Sequence, residues 1–277
     1  MELHITTLIE NNEANIKGLC FEHGLSLYLE FKGLKLLFDT GQSGDFIDNA
    51  HKLNINLDDL DYVLMSHGHY DHSGGFKKLM PLLSKQTKIV IAEDFFRHKC
   101  KDLYDGSYKQ NGNSFSLADI KDCDLETILI HDDLTKLNDD IYIIKNFKQT
   151  NDYEIIPSKF KIYENGQYIC DDFRDEIALA IKTSKGLVVI VGCSHRGIVN
   201  ILSDIQTKLD LPIIGLIGGT HLVEADESRI AKTIAYLDNL DLDFIAFSHC
   251  TGPAITTLKE HFKDKFIFNN TANTIDI

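Results

Sequence analysis

Hydrophobic and polar positions alternate in short runs over the first forty residues, and the spacing predicts a β-meander. LHITTLIE alternates weakly; LSLYLEF, a Lys-Gly turn and LKLLFDTG then make a hairpin pattern. A helical stretch follows over about Asp45 to Leu53, and DYVLMS reads as a buried strand. Ser73-Gly74-Gly75 opens a helix through Phe76, Leu79 and Leu83, with Pro81 as a kink, and KIVIAE is the next strand. From about Asp94 to Asp172 the pattern is polar and irregular (YKQNGNSFS, IYIIKNF, KFKIYENGQYI), which reads as an insertion beside a main sheet. Insertions on a rigid scaffold carry selectivity, so substrate preference is expected to reside there.

Regularity returns at Asp175. EIALAIKTSKGLVVIVGCSH is two strands around a Lys-Gly turn, and RGIVNILSDIQTKL is a helix with apolar Ile198, Ile201, Leu202 and Ile205. LPIIGLIGGTH, ESRIAKTIAYLDNL, DFIAFSHC and ITTLKEHF then alternate strand and helix, and KFIFNN is a last short strand. Strand–loop–helix units in both parts, each led by a hairpin, point to a layered α/β (α+β) class with two β-rich halves and helices outside. The expectation is a single domain over 1–277 with an insertion at about 94–172. It is not a Rossmann fold, because no glycine-rich phosphate loop follows the first strand.

Four of the hydrophobic runs end on histidine: DYVLMSHGHYDH at His67, His69 and His72, LVVIVGCSH at His195, IIGLIGGTH at His221, and DFIAFSHC at His249. Strands that stop in register deliver their ends to one edge of a sheet, which converges imidazoles from distant sequence. Residues two apart in an extended segment face the same side, so His67 and His69 can reach one metal ion together. Asp71 and His72 come as the chain turns into the helix and can point at a second ion. Neutral imidazole suits Zn²⁺, and a carboxylate adds charge. His4, His23, His51, His98, His131 and His261 have no such context and read as ordinary. Cys193 and Cys250, near His195 and His249, read as small packing residues, with a thiolate ligand as the alternative.

Composition narrows the partners. With 42 acidic against 28 basic residues the net charge is −14, which disfavours a nucleic-acid phosphate backbone as partner. Six cysteines lack a CxxC pair, MELHITTLIENN has no basic-then-apolar leader, and no apolar run reaches ~18 residues. These point to a reduced, cytoplasmic protein with no membrane partner and a small-molecule substrate. They say nothing of oligomeric state.

HGHYDH matches the HxHxDH signature, and the chain resembles the metallo-β-lactamase superfamily, whose fold is an αββα sandwich with a dinuclear metal site. ENN, HGLS, LLFDTGQS, LMSHGHYDHSGG, FRDEIALAIKTSKGLVVIVGCSHRGIVNIL, IGGTHL and SHCTG are together similar to the subgroup named after dihydropterin–ribofuranosylaminobenzene phosphate synthase. The resemblance implies that His67 and His69 bind the first metal, Asp71 and His72 the second, and that His249 is the superfamily's last histidine. It also implies that Asp39, in FDTG, orients the ligands from behind. The superfamily usually offers a further histidine and then a bridging aspartate. Here both clear candidates are histidines, His195 and His221; Asp172, Asp175 or Glu176 are alternatives for the missing histidine, and Glu224 reads as a helix start.

The implied activity is metal-dependent hydrolysis. One or two Zn²⁺ ions (Mn²⁺ or Fe²⁺ as alternatives) give hydroxide near neutral pH and polarise the scissile carbonyl or phosphoryl group. Asp71 would ligate and steer the nucleophile's proton; His221 is a ligand or else the general acid or oxyanion donor. With Asp71 the only anionic ligand, two divalent ions keep about three positive charges, which favours an anionic, phosphorylated substrate. Two alternatives remain: group transfer on a pterin- or ribosyl-phosphate-like substrate, and a non-catalytic metal-dependent binding protein.

Overall fold

The computed structural model describes residues 2–277, and the chain partitions into two compact units. The first holds the chain up to His131 together with Pro157–Asp175 and Asn270–Ile277; the second holds Asp132–Ile156 and Glu176–Asn269. Strands and helices are numbered along the chain.

The first unit is built on a seven-stranded sheet. Its strands are β1 (Leu3–Ile9), β2 (Ser26–Phe31), β3 (Leu34–Phe38), β4 (Tyr62–Leu64), β5 (Lys88–Ala92), β8 (Glu126–Ile130) and β17 (Thr274–Asp276), in the order β17-β1-β2-β3-β4-β5-β8. The β2–β3 hairpin turns on Lys32 and Gly33, whose φ values of 49° and 82° suit the right-handed twist of the flanking strands. From β3 onward the pairing is parallel. The crossover to β4 carries α1 (Asp45–Lys52), which buries Phe46, Asn49 and Ala50. Phe46 joins Leu37, Val63, Phe76, Ile89 and Phe95 in one core, where each fully buried phenylalanine contributes about 1.5–3 kcal/mol.

The helix expected to open at Ser73 starts three residues earlier and is broken. It consists of α2 (Tyr70–Ser73), α3 (Phe76–Leu79) and a 3₁₀ turn, Met80–Leu82, that carries Pro81 in its first positions. The cause is a close backbone approach. A Cβ on Gly74 would fall 2.4 Å from the Gln42 carbonyl oxygen, and one on Gly75 2.1 Å from that of Thr40. Only glycine lets the chain pass the loop after β3 at that distance.

The polar stretch expected as an irregular insertion contains a four-stranded antiparallel sheet. Its strands are β6 (Lys99–Asp102), β7 (Tyr108–Gln110), β11 (Phe160–Glu164) and β12 (Gln167–Cys170), in the order β12-β11-β6-β7. Between β7 and β8, α4 (Leu117–Asp122) begins with a capping box formed by Ser116 and Asp119.

The second unit is built on a six-stranded sheet. Its strands are β9 (Leu134–Lys136), β10 (Ile141–Ile144), β13 (Ala178–Lys182), β14 (Leu187–Val191), β15 (Ile213–Gly219) and β16 (Phe244–Ser248), in the order β16-β15-β14-β13-β10-β9. The first four pair antiparallel, and β14, β15 and β16 run parallel. Their connections carry α5 (Ile198–Leu209) and α6 (Glu227–Leu237), and α7 (Ala254–Phe262) follows β16. The expected face of α5 (Ile198, Ile201, Leu202, Ile205) packs with Val189, Leu216, Ile245 and Phe247 in this unit's core. The start of α5 is held by the buried Glu154 carboxylate, which accepts the N–H groups of Val199 (2.9 Å) and Asn200 (2.8 Å). A negative charge there meets the positive end of the helix dipole. KFIFNN does not form the expected strand: Lys263–Lys265 is a 3₁₀ turn, and Phe266 makes a single bridge to Ile245. Lys263, at φ 48°, breaks the extended path before it can pair. No helix among the described residues is long and apolar enough to cross a membrane.

Candidate metal centre

Strand β4 ends at Leu64, and Met65-Ser66 leads into His67-Gly68-His69 and then α2. His67, His69, Asp71 and His72 are all buried. His67 Nε2 lies 3.1 Å from His69 Nδ1. Two nitrogens on one zinc, each 2.0–2.1 Å from it, are about 3.3 Å apart at the tetrahedral angle. The pair therefore fits two ligands of a single ion. The Asp71 carboxylate lies 3.7 Å from His72 Nε2 and 3.2 Å from His23 Nε2.

Asp39, one residue past β3 at φ 63°, holds this segment from behind. Its carboxylate accepts the Ser66 N–H (2.7 Å) and Ser66 O–H (2.7 Å) and sits 2.6 Å from His72 Nδ1. The Ser66 hydroxyl, having given its one proton to Asp39, is an acceptor 2.9 Å from His67 Nδ1. Both rings thus have Nδ1 held by Ser66 or Asp39, which makes Nε2 the nitrogen each would present to an ion.

Burial, then the neighbouring His72 and His69, push the His67 imidazole well below its ordinary 6.5. The folded state therefore resists protonating it while the unfolded chain does not. Stability from this source is complete above pH 6.5 and falls as pH drops towards the depressed folded value, by up to ~1.4 kcal/mol per unit. Urea midpoints of chelator-treated protein are expected to fall between pH 7 and 5. His67→Gln should flatten that dependence, and an unchanged slope would refute the assignment.

Beneath the ligand segment lies a buried charge cluster. Lys99 Nζ donates to Asp171 (2.6 Å) and Asp175 (2.8 Å), and the other Asp175 oxygen accepts the Gly68 N–H (2.7 Å). Burial alone would depress the Lys99 ammonium, but Asp175 and Asp171 outweigh it and raise its pKa. Burial raises the carboxyl of Asp171. Lys99 also lies 4.5 Å from the Phe173 ring centre, and that ring meets His69 edge-on at 5.3 Å.

In the second unit three histidines follow three adjacent parallel strands. His195 comes after β14, His221 after β15 and His249 directly after β16, all buried. The His195 and His221 ring centres are 4.3 Å apart. Ser194, His221 and His249 have positive φ values of 63°, 48° and 36°, a backbone cost of order 1–3 kcal/mol each that clusters at functional sites. The Ser194 hydroxyl pins its turn by donating to the Gly219 carbonyl (2.7 Å). Cys250 Sγ accepts the His221 N–H (3.2 Å) and donates to the Cys193 carbonyl (3.1 Å), tying the loops after β14, β15 and β16 together.

The acidic alternatives for a further ligand are each engaged. Asp175 serves Lys99 and Gly68; Glu176 accepts the N–H groups of His195 (2.7 Å) and Arg196 (2.8 Å); Asp172 bonds Arg97 and Arg174, both at 2.6 Å. The candidate metal-ligand residues are His67, His69, Asp71 and His72 in the first unit and Cys193, His195 and His249 in the second. Sequence reasoning set aside His23 and did not single out Ser66, Lys99 or Asn111. His23 sits in the HGLS motif, and Asn111 in the NGN turn, which were the only local signals.

A family model described as the metallo-beta-lactamase superfamily matches residues 21–145. The 7,8-dihydropterin-6-methyl-4-(β-D-ribofuranosyl)-aminobenzene-5′-phosphate synthase of Methanocaldococcus jannaschii is 32% identical, over 95% of this chain and 93% of its own. An uncharacterized protein of the same organism is 28% identical over 99% of this chain and 100% of its own. The crystal structure of Tm1679, a metal-dependent hydrolase of the β-lactamase superfamily, matches with a TM-score of 0.85 and 29% identity, covering 100% of this chain and 99% of that one. The chain belongs to the metallo-β-lactamase superfamily and has its fold, as the HxHxDH signature implied. Members of that superfamily are mostly metal-dependent hydrolases that bind divalent metals, usually zinc.

Proposed function

We propose that this chain is a metal-dependent hydrolase of a small anionic, phosphorylated substrate, and that its two units act as one domain over 1–277. His67, His69, Asp71, His72, His195, His221 and His249 hold one or two divalent ions, Zn²⁺ first, with Mn²⁺ or Fe²⁺ as alternatives. The observation that carries this reading is the 3.1 Å spacing of His67 Nε2 and His69 Nδ1, two buried imidazole nitrogens at the separation that two ligands of one ion take. A bound ion supplies a water of lowered pKa and a Lewis acid for a phosphoryl or carbonyl oxygen. The chain's own part is to orient imidazoles through Asp39 and Ser66, and to exclude water by burial. His221 is a ligand or the proton donor to the leaving group. Asp71 is the one carboxylate in the set, so the loaded site stays cationic and favours an anion.

A second reading is group transfer on a pterin- or ribosyl-phosphate-like substrate, favoured by the synthase at 32% identity. The deciding experiment is elemental analysis of protein purified without added metal, for wild type and His195→Ala, His221→Ala and His249→Ala. Between one and two equivalents are expected in the wild type, falling in the His195 and His249 variants. A wild type without metal would overturn the reading. Label from H₂¹⁸O in the product of a phosphoester screen separates hydrolysis, which incorporates it, from transfer, which does not. Tight metal binding with no turnover across that screen would favour a binding protein instead.

A further inference from the structure

Asn111 lies just past β7, in a loop that runs along the ligand segment. Its carbonyl accepts the Tyr70 N–H (3.0 Å), its N–H donates to the Lys99 carbonyl (3.2 Å), and Gly112 bridges to His69. Backbone bonds on both sides therefore deliver its side chain to His69, with Nδ2 3.1 Å from His69 Nε2. The other amide atom, Oδ1, is buried and has no partner among the described residues.

A neutral imidazole carries one N–H and one lone pair, and only the lone pair can take a metal. His67 and His72 each have Nδ1 engaged, by Ser66 and Asp39, so Nε2 is the nitrogen each would offer an ion. His69 is reversed: its Nδ1 faces His67, and its Nε2 faces Asn111. With an ion on Nδ1, the proton must sit on Nε2 and needs an acceptor. We propose that Asn111 is the positioning residue for His69, presenting Oδ1 to the Nε2–H and so fixing the tautomer that leaves Nδ1 for the ion. The two amide ends exchange places by a half-turn about the Cβ–Cγ bond. That turn forfeits no other bond of the oxygen, because Oδ1 has none to lose. The three histidines of the HGHYDH segment are then each held at the outer nitrogen by a different partner: a hydroxyl, a carboxylate and an amide.

This inference rests on the metal centre proposed above, and the test keeps the two apart. In zinc-loaded protein with ¹⁵N-labelled histidine, long-range proton–nitrogen correlations are expected to show His69 protonated at Nε2 and bare at Nδ1. Asn111→Leu removes the acceptor at similar volume and should weaken zinc binding by ~10–100-fold in chelator competition. Asn111→Asp restores an acceptor and should bring affinity back to near wild type, which a merely structural role would not do. His69 found protonated at Nδ1 would overturn the inference. So would wild-type affinity in Asn111→Leu while His67→Ala loses zinc, and that pattern leaves the centre standing. Absence of zinc binding in the wild type would overturn both.

Discussion

Lys99→Ala is expected to lower the free energy of unfolding by about 3–5 kcal/mol, the cost of leaving buried charge without its partner. Lys99, Asp171 and Asp175 are almost wholly shielded, at 1%, 2% and 0% exposure. One ammonium serves both carboxylates, so removing it strands two acceptors with, among the described residues, the Gly68 N–H and the Phe173 N–H left as neutral donors. Lys99→Met, which keeps the apolar stem, should recover less than half of the loss if charge is the cause. The pH dependence supplies an independent check. Asp171 already has a raised pKa, which Lys99 holds down, so without Lys99 it should rise further. A carboxyl with a raised folded pKa costs stability as pH climbs past its unfolded value, so the deficit of the variant should shrink towards pH 4. A loss below ~1 kcal/mol in urea titrations at pH 7 would mean that the cluster is solvated or rearranges freely. The same variant should also loosen metal binding, because Asp175 anchors the peptide between His67 and His69.

Much of this molecule was legible because its signals are local. Lys32-Gly33 fixes a hairpin by backbone conformation alone, and α5 shows its buried face in a 3.6-residue period. The HGHYDH cluster is dense enough to stand out, and the other candidate histidines stand out because each terminates an apolar strand. The charge cluster gave no such sign. Lys99 is 72 positions from Asp171 and 76 from Asp175, and each looks like a routine charged residue in a polar stretch. The four-stranded sheet hid for a related reason: β6 reads KCKD, and β12 is exposed along its whole length, so no apolar alternation marks it. The break between α2 and α3 depends on what faces Gly74 and Gly75, which only the fold reveals. The same holds for Asn111 and His23, polar residues whose meaning comes from the imidazole or carboxylate beside them.

Asp71 carries the second large prediction. It is the single carboxylate among the proposed ligands, buried, with His72 Nε2 at 3.7 Å and His23 Nε2 at 3.2 Å. Asp71→Asn keeps its shape and removes its charge. Loss of one preorganised electrostatic group in a water-excluded site typically costs 10²–10³ in turnover. Loss of a ligand adds a falling metal occupancy to that, so turnover of a phosphoester should drop by at least ~10³ while the fold is kept. The charge change also predicts a direction for binding. A site with one negative charge fewer should hold an inert anion such as inorganic phosphate no more weakly than wild type wherever the ions remain bound. Metal content and phosphate titration on the same preparation therefore distinguish a lost ion from a lost catalytic charge. His131→Ala is the control: that histidine is exposed and paired with Glu93 at 2.6 Å, far along the chain from the ligand segment, and its loss should leave turnover unchanged. Turnover within tenfold of wild type in Asp71→Asn would remove Asp71 from the site, and with it the assignment of a carboxylate ligand to the second ion.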